Sequence, residues 1–269
     1  MTHEQLHTLL IGLSINLAVV VAVVSAAFVV GRIEGRHAVI DVFWPLGFVA
    51  VAVSSFTWSQ GHGWHWARLA VLVLTGIWGL RLATHLAIRL RGSGEDPRYE
   101  AIMRGAKGNP TLYAVKVIYA FQAALMFIVS SALAIAMVEG KGIWILAVLG
   151  AIACAKGIAF EAIGDWQLTR FKAEPANAGK VMDRGLWRYT RHPNYFGDAV
   201  FWWGIALIAL RSWGGLLALL PVGIMTYLLT SVSGKPMLER GMKRTRPGYA
   251  QYVEQTSGFI PWFPKKPTS

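Results

Sequence analysis

Residues 8–30 read TLLIGLSINLAVVVAVVSAAFVV, a run of apolar and small residues that contains no charge. A helix crosses the roughly 30 Å hydrocarbon core of a bilayer with about 20 apolar residues. This run is therefore long enough to span a membrane. A cleaved signal peptide has a shorter apolar core behind a positively charged segment, and residues 1–7 carry no lysine or arginine. The stretch predicts a membrane anchor.

Apolar runs of similar length recur along the rest of the chain. The whole set of predicted spans lies at residues 8–30, 39–58, 65–88, 113–137, 142–164, 196–211 and 213–232. The sixth is short, and only residues 211–213 separate it from the seventh, which predicts a tight hairpin. The predicted fold class is all-α: a polytopic integral membrane bundle of about seven transmembrane helices.

Lysine and arginine are concentrated in alternate loops. Only Arg68, Lys141 and Arg211 lie on one predicted side. The other side holds Arg32, Arg36, Arg89, Arg91, Arg98, Arg104, Lys107, Arg170, Lys172, Lys180, Arg184, Arg188, Arg191, Lys235, Arg240, Lys243, Arg244, Arg246, Lys265 and Lys266. Short cytoplasmic loops are the basic ones in membrane proteins. With an odd number of spans, this places the N-terminus outside and the C-terminus in the cytoplasm.

The composition excludes several classes of protein. Hydrophobic residues make up 55% of the chain and charged residues 15%, which is too apolar for a soluble domain. The net charge of +12 follows the loops, so it orients the helices and attracts lipid headgroups, and no nucleic-acid partner is expected. The chain has one cysteine, Cys154, and lacks paired Cys/His or HExxH patterns, so we expect no metal site. No GxGxxG follows a strand, which excludes a Rossmann domain.

Polar residues gather in EAIGDWQLTRFKAEPANAGKVMDRGLWRYTRHPNYFGD at 161–198. Pro193 can start a helix, and the cations before it favour an anion at that helix N-terminus. Asn194, Tyr195 and Asp198 then offer an amide, a phenol and a carboxylate. This mixture fits the phosphates, ribose and carboxamide of a nucleotide. The alternative is that the cations only orient the helices and that Pro193 only caps one.

In this region the chain resembles the C-terminal domain of the steroid 5α-reductase superfamily, and the superfamily's uncharacterised bacterial membrane proteins in particular. The most specific string is GDWQLTRFKAEPANAGKVMDRGLWRYTRHPNYFGD at 164–198, with RPGYAQYVEQTSGFIPWFP at 246–264. The strings DVFWPLGF at 41–48, WGLRLATHLAIRLRGSGEDPRY at 78–99 and AVKVIYAFQAALMF at 114–127 extend the resemblance over most of the chain. It implies a location in the inner (plasma) membrane of a bacterial cell.

The resemblance also implies a membrane reductase that holds NADPH on the cytosolic side. Residues 1–137 would form a lipophilic substrate cavity, and residues 138–269 would carry the cofactor loops. A lysine, Lys172, stands where the family has an arginine. The implied cofactor-binding residues are Asp165, Arg170, Lys172, Arg184, Tyr189, Arg191, His192, Asn194, Tyr195 and Asp198.

The expected reaction is hydride transfer from NADPH to a polarised carbon–carbon double bond, enone-like, in a steroid or other lipid. The animal steroid enzymes use an early glutamate and a tyrosine, and here Asp41 stands nearest to that glutamate. This departure makes the steroid less certain than the chemistry, and polyprenyl, fatty acyl and quinone-like lipids also fit. Arg81 and His85 share a helix face at i, i+4, although they could instead pair with Asp41 or with a lipid phosphate. The catalytic candidates are Asp41, Arg81, His85 and Tyr119.

Two other functions fit parts of the sequence. Isoprenylcysteine and phospholipid methyltransferases, which use S-adenosylmethionine, carry a string similar to RHPNYFG at 191–197. Their paired acidic residues near the tail are reduced here to a single glutamate in KPMLE at 235–239. The third reading is a non-catalytic lipid-binding membrane protein. Paired inverted halves with broken helices, which a transporter would show, are not evident.

Overall fold

The computed structural model describes residues 2–232 and 235–265. Lys266, one of the basic residues of the tail, lies outside the described residues. The fold is all-helical with 78% helix and no strand in the described part of the chain. The α-helices are α1 (His3–Glu34), α2 (Val39–Trp58), α3 (His65–Leu90), α4 (Pro97–Met103), α5 (Pro110–Ala114), α6 (Phe121–Val138), α7 (Trp144–Ala173), α8 (Pro193–Ala209), α9 (Leu219–Tyr227), α10 (Lys235–Thr245) and α11 (Tyr249–Gln255).

Six helical stretches in the described residues are long and apolar enough to cross a membrane. They are α1, α2, α3, the continuous helix Pro110–Val138, α7 and Trp213–Val232. Pro110–Val138 joins α5 to α6 through a π-helical turn at Val115–Ala120, and Trp213–Val232 begins as a 3₁₀ helix. Six of the predicted spans are thus confirmed as membrane-length helices. The remaining one corresponds to α8, whose 17 residues extend about 26 Å; the seventh crossing and the side of each terminus stay predictions.

The chain forms two compact units. The first contains Met1–Val148 and Ile205–Pro221, and the second contains Leu149–Gly204 and Val222–Ser269. These units are defined by packing, whereas the predicted boundary between residues 137 and 138 separates a substrate region from a cofactor region. The functional domains therefore stay predictions.

In the first unit, α1, α2, α3 and α6 pack around an apolar core. A buried polar contact fixes the register of two of these helices: the Asn16 amide donates to the Ser55 hydroxyl at 2.9 Å. The Trp58 indole donates in turn to Asn16 at 3.2 Å, beside Gly12, where any side chain would collide with the indole. Hydrogen bonds between polar side chains hold helices together where the surrounding solvent is apolar.

The predicted hairpin at residues 211–213 is also present in the first unit. The Arg211 side chain is buried, and its guanidinium donates to the carbonyls of Gly140 and Ile208 at 2.6 Å each and to that of Ala136 at 2.9 Å. The turn is close enough that a Cβ on Gly215 would lie 1.9 Å from the Ala209 carbonyl oxygen. A charged side chain thus satisfies carbonyls at the ends of two helices, α6 and α8.

In the second unit, α7 and α8 approach each other through glycines. A Cβ on Gly204 would lie 2.7 Å from the Gly150 carbonyl oxygen, and one on Gly157 would lie 2.6 Å from that of Gly197. Farther along, a Cβ on Gly164 would lie 3.1 Å from the Pro193 ring. Small residues allow the backbones of membrane helices to approach closely. The contact extends from Gly150 and Gly204 at one end to Gly164 and Pro193 at the other. It therefore positions the predicted cofactor residues, which lie near Gly164 and Pro193.

We expect Gly197→Ala to destabilise the second unit. Its Cβ would lie 2.5 Å from the Glu161 backbone nitrogen and 2.7 Å from the Gly157 carbonyl oxygen, and neither helix backbone can yield alone. Overpacking of this kind costs about 1–3 kcal/mol, which should lower the thermal midpoint in detergent. The matched control is Gly223→Ala in α9, where no atom lies within 4 Å of the added methyl. Equal midpoints for both variants would contradict the close helix contact.

Candidate functional site

The segment before α8 is held on α7 by side-chain hydrogen bonds. The Trp187 indole donates to the Gly164 carbonyl at 3.0 Å, and the Leu186 backbone N–H donates to Gln167 Oε1 at 2.9 Å. Gly185 adopts a φ of +57° directly against the Gln167 amide, so a side chain there would be both strained and obstructed. The 3₁₀ turn Gly185–Arg188 therefore has a fixed position beside the polar end of α7.

Acidic and amide residues lie on both helices at this end of the α7–α8 contact. Glu161 and Asp165 are buried on α7, and Asp198 is buried one turn after the half-buried Asn194 on α8. The backbone nitrogen of Asn194 lies 3.3 Å from where a Cβ on Gly164 would be, next to Asp165 in sequence. The two helices thus bring the predicted pair Asp165 and Asn194 to the same level. Acceptors and an amide held by rigid helices suit the hydroxyls and carboxamide of a nucleotide.

The cationic candidates in the second unit have a different character from the acidic ones. Arg170, Lys172 and Arg184 are exposed, and so is Tyr189. The Arg170 guanidinium lies 5.2 Å from the Trp166 ring centroid, in a cation–π contact. Exposed cations can pair with the phosphates of a bound nucleotide through charge-assisted hydrogen bonds. Their role in binding stays a prediction.

Arg191 and His192 form a buried cluster with Glu239 of α10. Arg191 Nε donates to Glu239 Oε1 at 2.9 Å, and His192 Nε2 lies 3.1 Å from the same oxygen. Because an ionised carboxylate only accepts hydrogen bonds, the proton of His192 belongs on Nε2. Burial lowers the pKa of His192 against the opposing effect of Glu239. His192 also stacks on Tyr195, with the ring centroids 5.5 Å apart.

The same segment binds the C-terminal part of the chain, which consists of α11 and the tail that follows it. Arg191 Nη1 donates to the carbonyls of Val253 at 3.0 Å and Thr256 at 2.6 Å. The Thr190 hydroxyl donates to the Phe259 carbonyl at 2.7 Å, and the Trp262 backbone N–H donates to the Tyr189 carbonyl at 2.9 Å. The Arg191 side chain is only 8% exposed. Its observed bonds attach the tail to the segment before α8, and direct contact of Arg191 with a cofactor stays a prediction.

The charge of Glu239 predicts a pH dependence. Burial alone would raise the pKa of this carboxyl, but the hydrogen bonds from His192 and Arg191 outweigh burial and lower the pKa to about 2. A carboxyl whose pKa is depressed by folding stabilises the fold above its unfolded pKa and loses that contribution as the pH falls. We expect the difference in thermal midpoint between the native chain and Glu239→Gln to be largest above about pH 4.5 and to shrink toward about pH 2. A difference that does not change with pH would contradict the ionic contact.

The first unit contains a second polar cluster, centred on Asp41 near the start of α2. Asp41 Oδ2 accepts from Arg98 Nη2 at 2.6 Å, and Oδ1 accepts from the Tyr99 hydroxyl at 2.5 Å. Gln122 Nε2 lies 3.4 Å from the same hydroxyl, and Gln122 Oε1 accepts from the Trp44 indole at 2.5 Å. Asp41 therefore carries the charge that Arg98 neutralises, and Tyr99 is the hydrogen-bond donor of the cluster. Burial, followed by the nearby charge of Asp41, raises the pKa of Tyr99, so the phenol keeps its proton.

The other catalytic candidates also belong to the first unit. Tyr119 is buried in the π-helical turn, and its hydroxyl lies 3.1 Å from His37 Nδ1. Arg81 and His85 are half-buried on α3 at the predicted i, i+4 spacing. Their catalytic roles stay predictions.

The sequence did not predict a role for two residues of these polar clusters, Tyr99 and Glu239. Tyr99 follows Asp96 and Pro97, an N-cap and N1 pair that a sequence can show, but its partner Asp41 is 58 residues away. Glu239 was expected only as a single glutamate, although it accepts from Arg191 at 2.9 Å and lies 3.1 Å from His192. No group of three or more potential metal ligands occurs among the described residues.

Comparison with known proteins gives one family. The family described as "Protein of unknown function (DUF1295)" matches residues 27–256. This family is related to steroid 5α-reductase-like proteins. No curated protein and no solved structure matches the chain. Because the match covers most of the sequence, the chain belongs to the DUF1295 family.

Proposed function

We propose that this protein is a membrane-embedded, NADPH-dependent reductase that saturates a polarised carbon–carbon double bond in a lipid. The observation that carries the proposal is the cluster at the end of the α7–α8 contact. Glycine contacts hold the backbones of α7 and α8 close together there, where three carboxylates are buried and Asn194 is half-buried, and the segment before α8 is rich in exposed cations. The relation of the DUF1295 family to steroid 5α-reductase-like proteins supports the same assignment.

The residues of the second unit fit NADPH in their chemistry. Asp165 and Asp198 can accept hydrogen bonds from ribose hydroxyls, and Asn194 can both donate to and accept from a carboxamide. Arg170, Lys172 and Arg184 are exposed and can pair with phosphates through charge-assisted hydrogen bonds. Tyr195 is stacked on His192 and thus presents an aromatic edge in the same segment. When bound, NADPH supplies the hydride.

The cluster of the first unit fits the polar end of the substrate. Reduction of an enone places a hydride on the β-carbon, negative charge on the carbonyl oxygen and finally a proton on the α-carbon. Tyr99 is a protonated donor whose hydroxyl is 2.5 Å from Asp41 and 3.4 Å from Gln122. In the proposed reaction, the Tyr99 hydroxyl turns from Asp41 to the substrate oxygen and stabilises the enolate. Arg98 continues to neutralise Asp41 after the Tyr99 hydroxyl has turned away, and the α-carbon takes its proton from water.

An isotope experiment tests the reaction. Membranes that contain the protein would be incubated with a lipid extract and NADPH deuterated at the transferred position, and the lipids analysed by mass spectrometry. The proposal predicts a product with one deuterium and one solvent-derived hydrogen added across a double bond. This product should be absent with Asp198→Asn. Parallel membranes receive S-adenosylmethionine with a deuterated methyl group, and transfer of that methyl in place of deuteride would establish the methyltransferase instead.

A further inference from the structure

The tail after α11 has a fixed backbone but presents large apolar side chains to the outside. Ile260 is 65% exposed, Trp262 71% and Phe263 77%. Two backbone hydrogen bonds of 2.9 Å fix the segment, from Trp262 to the Tyr189 carbonyl and from Lys265 to the Gln255 carbonyl. Adjacent exposed side chains of this size indicate a surface that something else covers.

The tail lies beside the start of α8. It is bonded to Tyr189, Thr190 and Arg191, just before α8 begins at Pro193. Phe259 packs against Phe196 in the first turn of α8, with ring centroids 5.9 Å apart. The start of α8 lies against Gly164 of α7. The 30 residues of α7 extend about 45 Å, longer than a bilayer core of about 30 Å, and its polar end after Gly164 is the part that protrudes.

The surroundings of the tail have the composition of a membrane interface. Trp166 is exposed at the same end of α7 and carries the Arg170 guanidinium over its ring at 5.2 Å. Tyr189 is exposed beside Phe263, with ring centroids 6.2 Å apart. Lys265 is exposed at the end of the segment. Tryptophan and tyrosine favour the headgroup level of a bilayer, and basic side chains bind the phosphates of lipids.

We propose that the tail, residues 258–265, is an interfacial membrane anchor. Ile260, Trp262 and Phe263 insert between lipid headgroups and the ends of the acyl chains, while Lys265 pairs with lipid phosphates. Through the bond of the Thr190 hydroxyl to the Phe259 carbonyl and that of the Trp262 N–H to the Tyr189 carbonyl, this anchor also holds the segment before α8 at the membrane surface. The anchor does not depend on the reductase activity, so its test is independent of that proposal.

Spin labels in vesicles of phosphatidylethanolamine and phosphatidylglycerol test the anchor. Nitroxides would be placed at Ile260→Cys and, separately, at Phe263→Cys in the full chain. Cys154 is fully buried and can remain. At both positions, collisions with oxygen should exceed collisions with a water-soluble nickel chelate. A label at the exposed, polar Lys180 should show the reverse and serves as the matched control.

Two results would overturn the anchor. Nickel collisions that dominate at positions 260 and 263, as at 180, would place the tail in water. Spin–spin broadening at 260 or 263 that disappears on dilution with unlabelled protein would show that a second copy of the chain covers the surface. Two label positions guard against a single substitution that alters the tail locally.

Discussion

Arg191→Met should lower the free energy of unfolding by about 3–5 kcal/mol, the usual cost of removing one partner of a buried ion pair. Methionine keeps most of the length and volume of the side chain but provides no donor. Glu239 would lose its 2.9 Å partner, and the carbonyls of Val253 and Thr256 would lose donors at 3.0 and 2.6 Å. The thermal midpoint in detergent should fall by on the order of 10 °C.

Two further variants separate this cause from a general loss of charge. Arg188→Met removes an exposed arginine from the same segment and should leave the midpoint nearly unchanged. The double variant Arg191→Met/Glu239→Leu removes both buried charges and should recover part of the stability, since apolar replacement of a whole buried pair is often neutral. A midpoint for Arg191→Met that equals that of Arg188→Met would contradict the structural role of Arg191.

Tyr99→Phe should lower kcat by about 10²–10³, the cost of removing one donor to a developing oxyanion. The substitution removes only the hydroxyl that lies 2.5 Å from Asp41 and leaves the aromatic ring in place. NADPH affinity should not change, because the proposed nucleotide residues belong to the second unit. Steady-state kinetics with the lipid identified by isotope transfer, together with NADPH titration, would measure both quantities.

Tyr113→Phe is the matched control for Tyr99. Tyr113 is a half-buried tyrosine of the first unit, on α5, outside the Asp41 cluster. Its kcat should equal that of the native chain. If both substitutions reduce kcat equally, or if Tyr99→Phe weakens NADPH binding alone, Tyr99 is not the donor to the substrate.

The sequence predicted the membrane helices well because each depends on local composition. Residues 8–30 fall within α1, which begins after the Thr2 N-cap and ends at Glu34, and residues 39–58 are the bounds of α2. Length alone does not establish that the short sixth span crosses the membrane, since the 17 residues of α8 are marginal for a bilayer. The glycines at 150, 157 and 164 recur every seven residues in α7, but their partners on α8 emerge only from the fold.

For the candidate sites, the sequence indicated which residue types to consider but not which residues contact each other. Arg191 was expected at a phosphate, yet its observed acceptors are a glutamate 48 residues away and two backbone carbonyls of the tail. Carbonyl acceptors leave no trace in a sequence pattern. Tyr99 was overlooked for a related reason: a phenol in a polar loop acquires meaning only from Asp41, which is distant along the chain. Asp165 and Asn194 were predicted because both lie within the motif-rich segment, and their role in binding stays a prediction.

Binding of NADPH to the second unit can be measured by ligand-induced thermal stabilisation of the purified protein. NADPH, NADH and S-adenosylmethionine would be compared for the native chain and for Asp198→Asn. A ligand at a hundred times its Kd adds about 2.7 kcal/mol to the stability of the folded state. If the second unit binds NADPH as proposed, NADPH should stabilise the native chain and have a reduced effect with Asp198→Asn. Stabilisation by S-adenosylmethionine alone, or by none of the three, would contradict it.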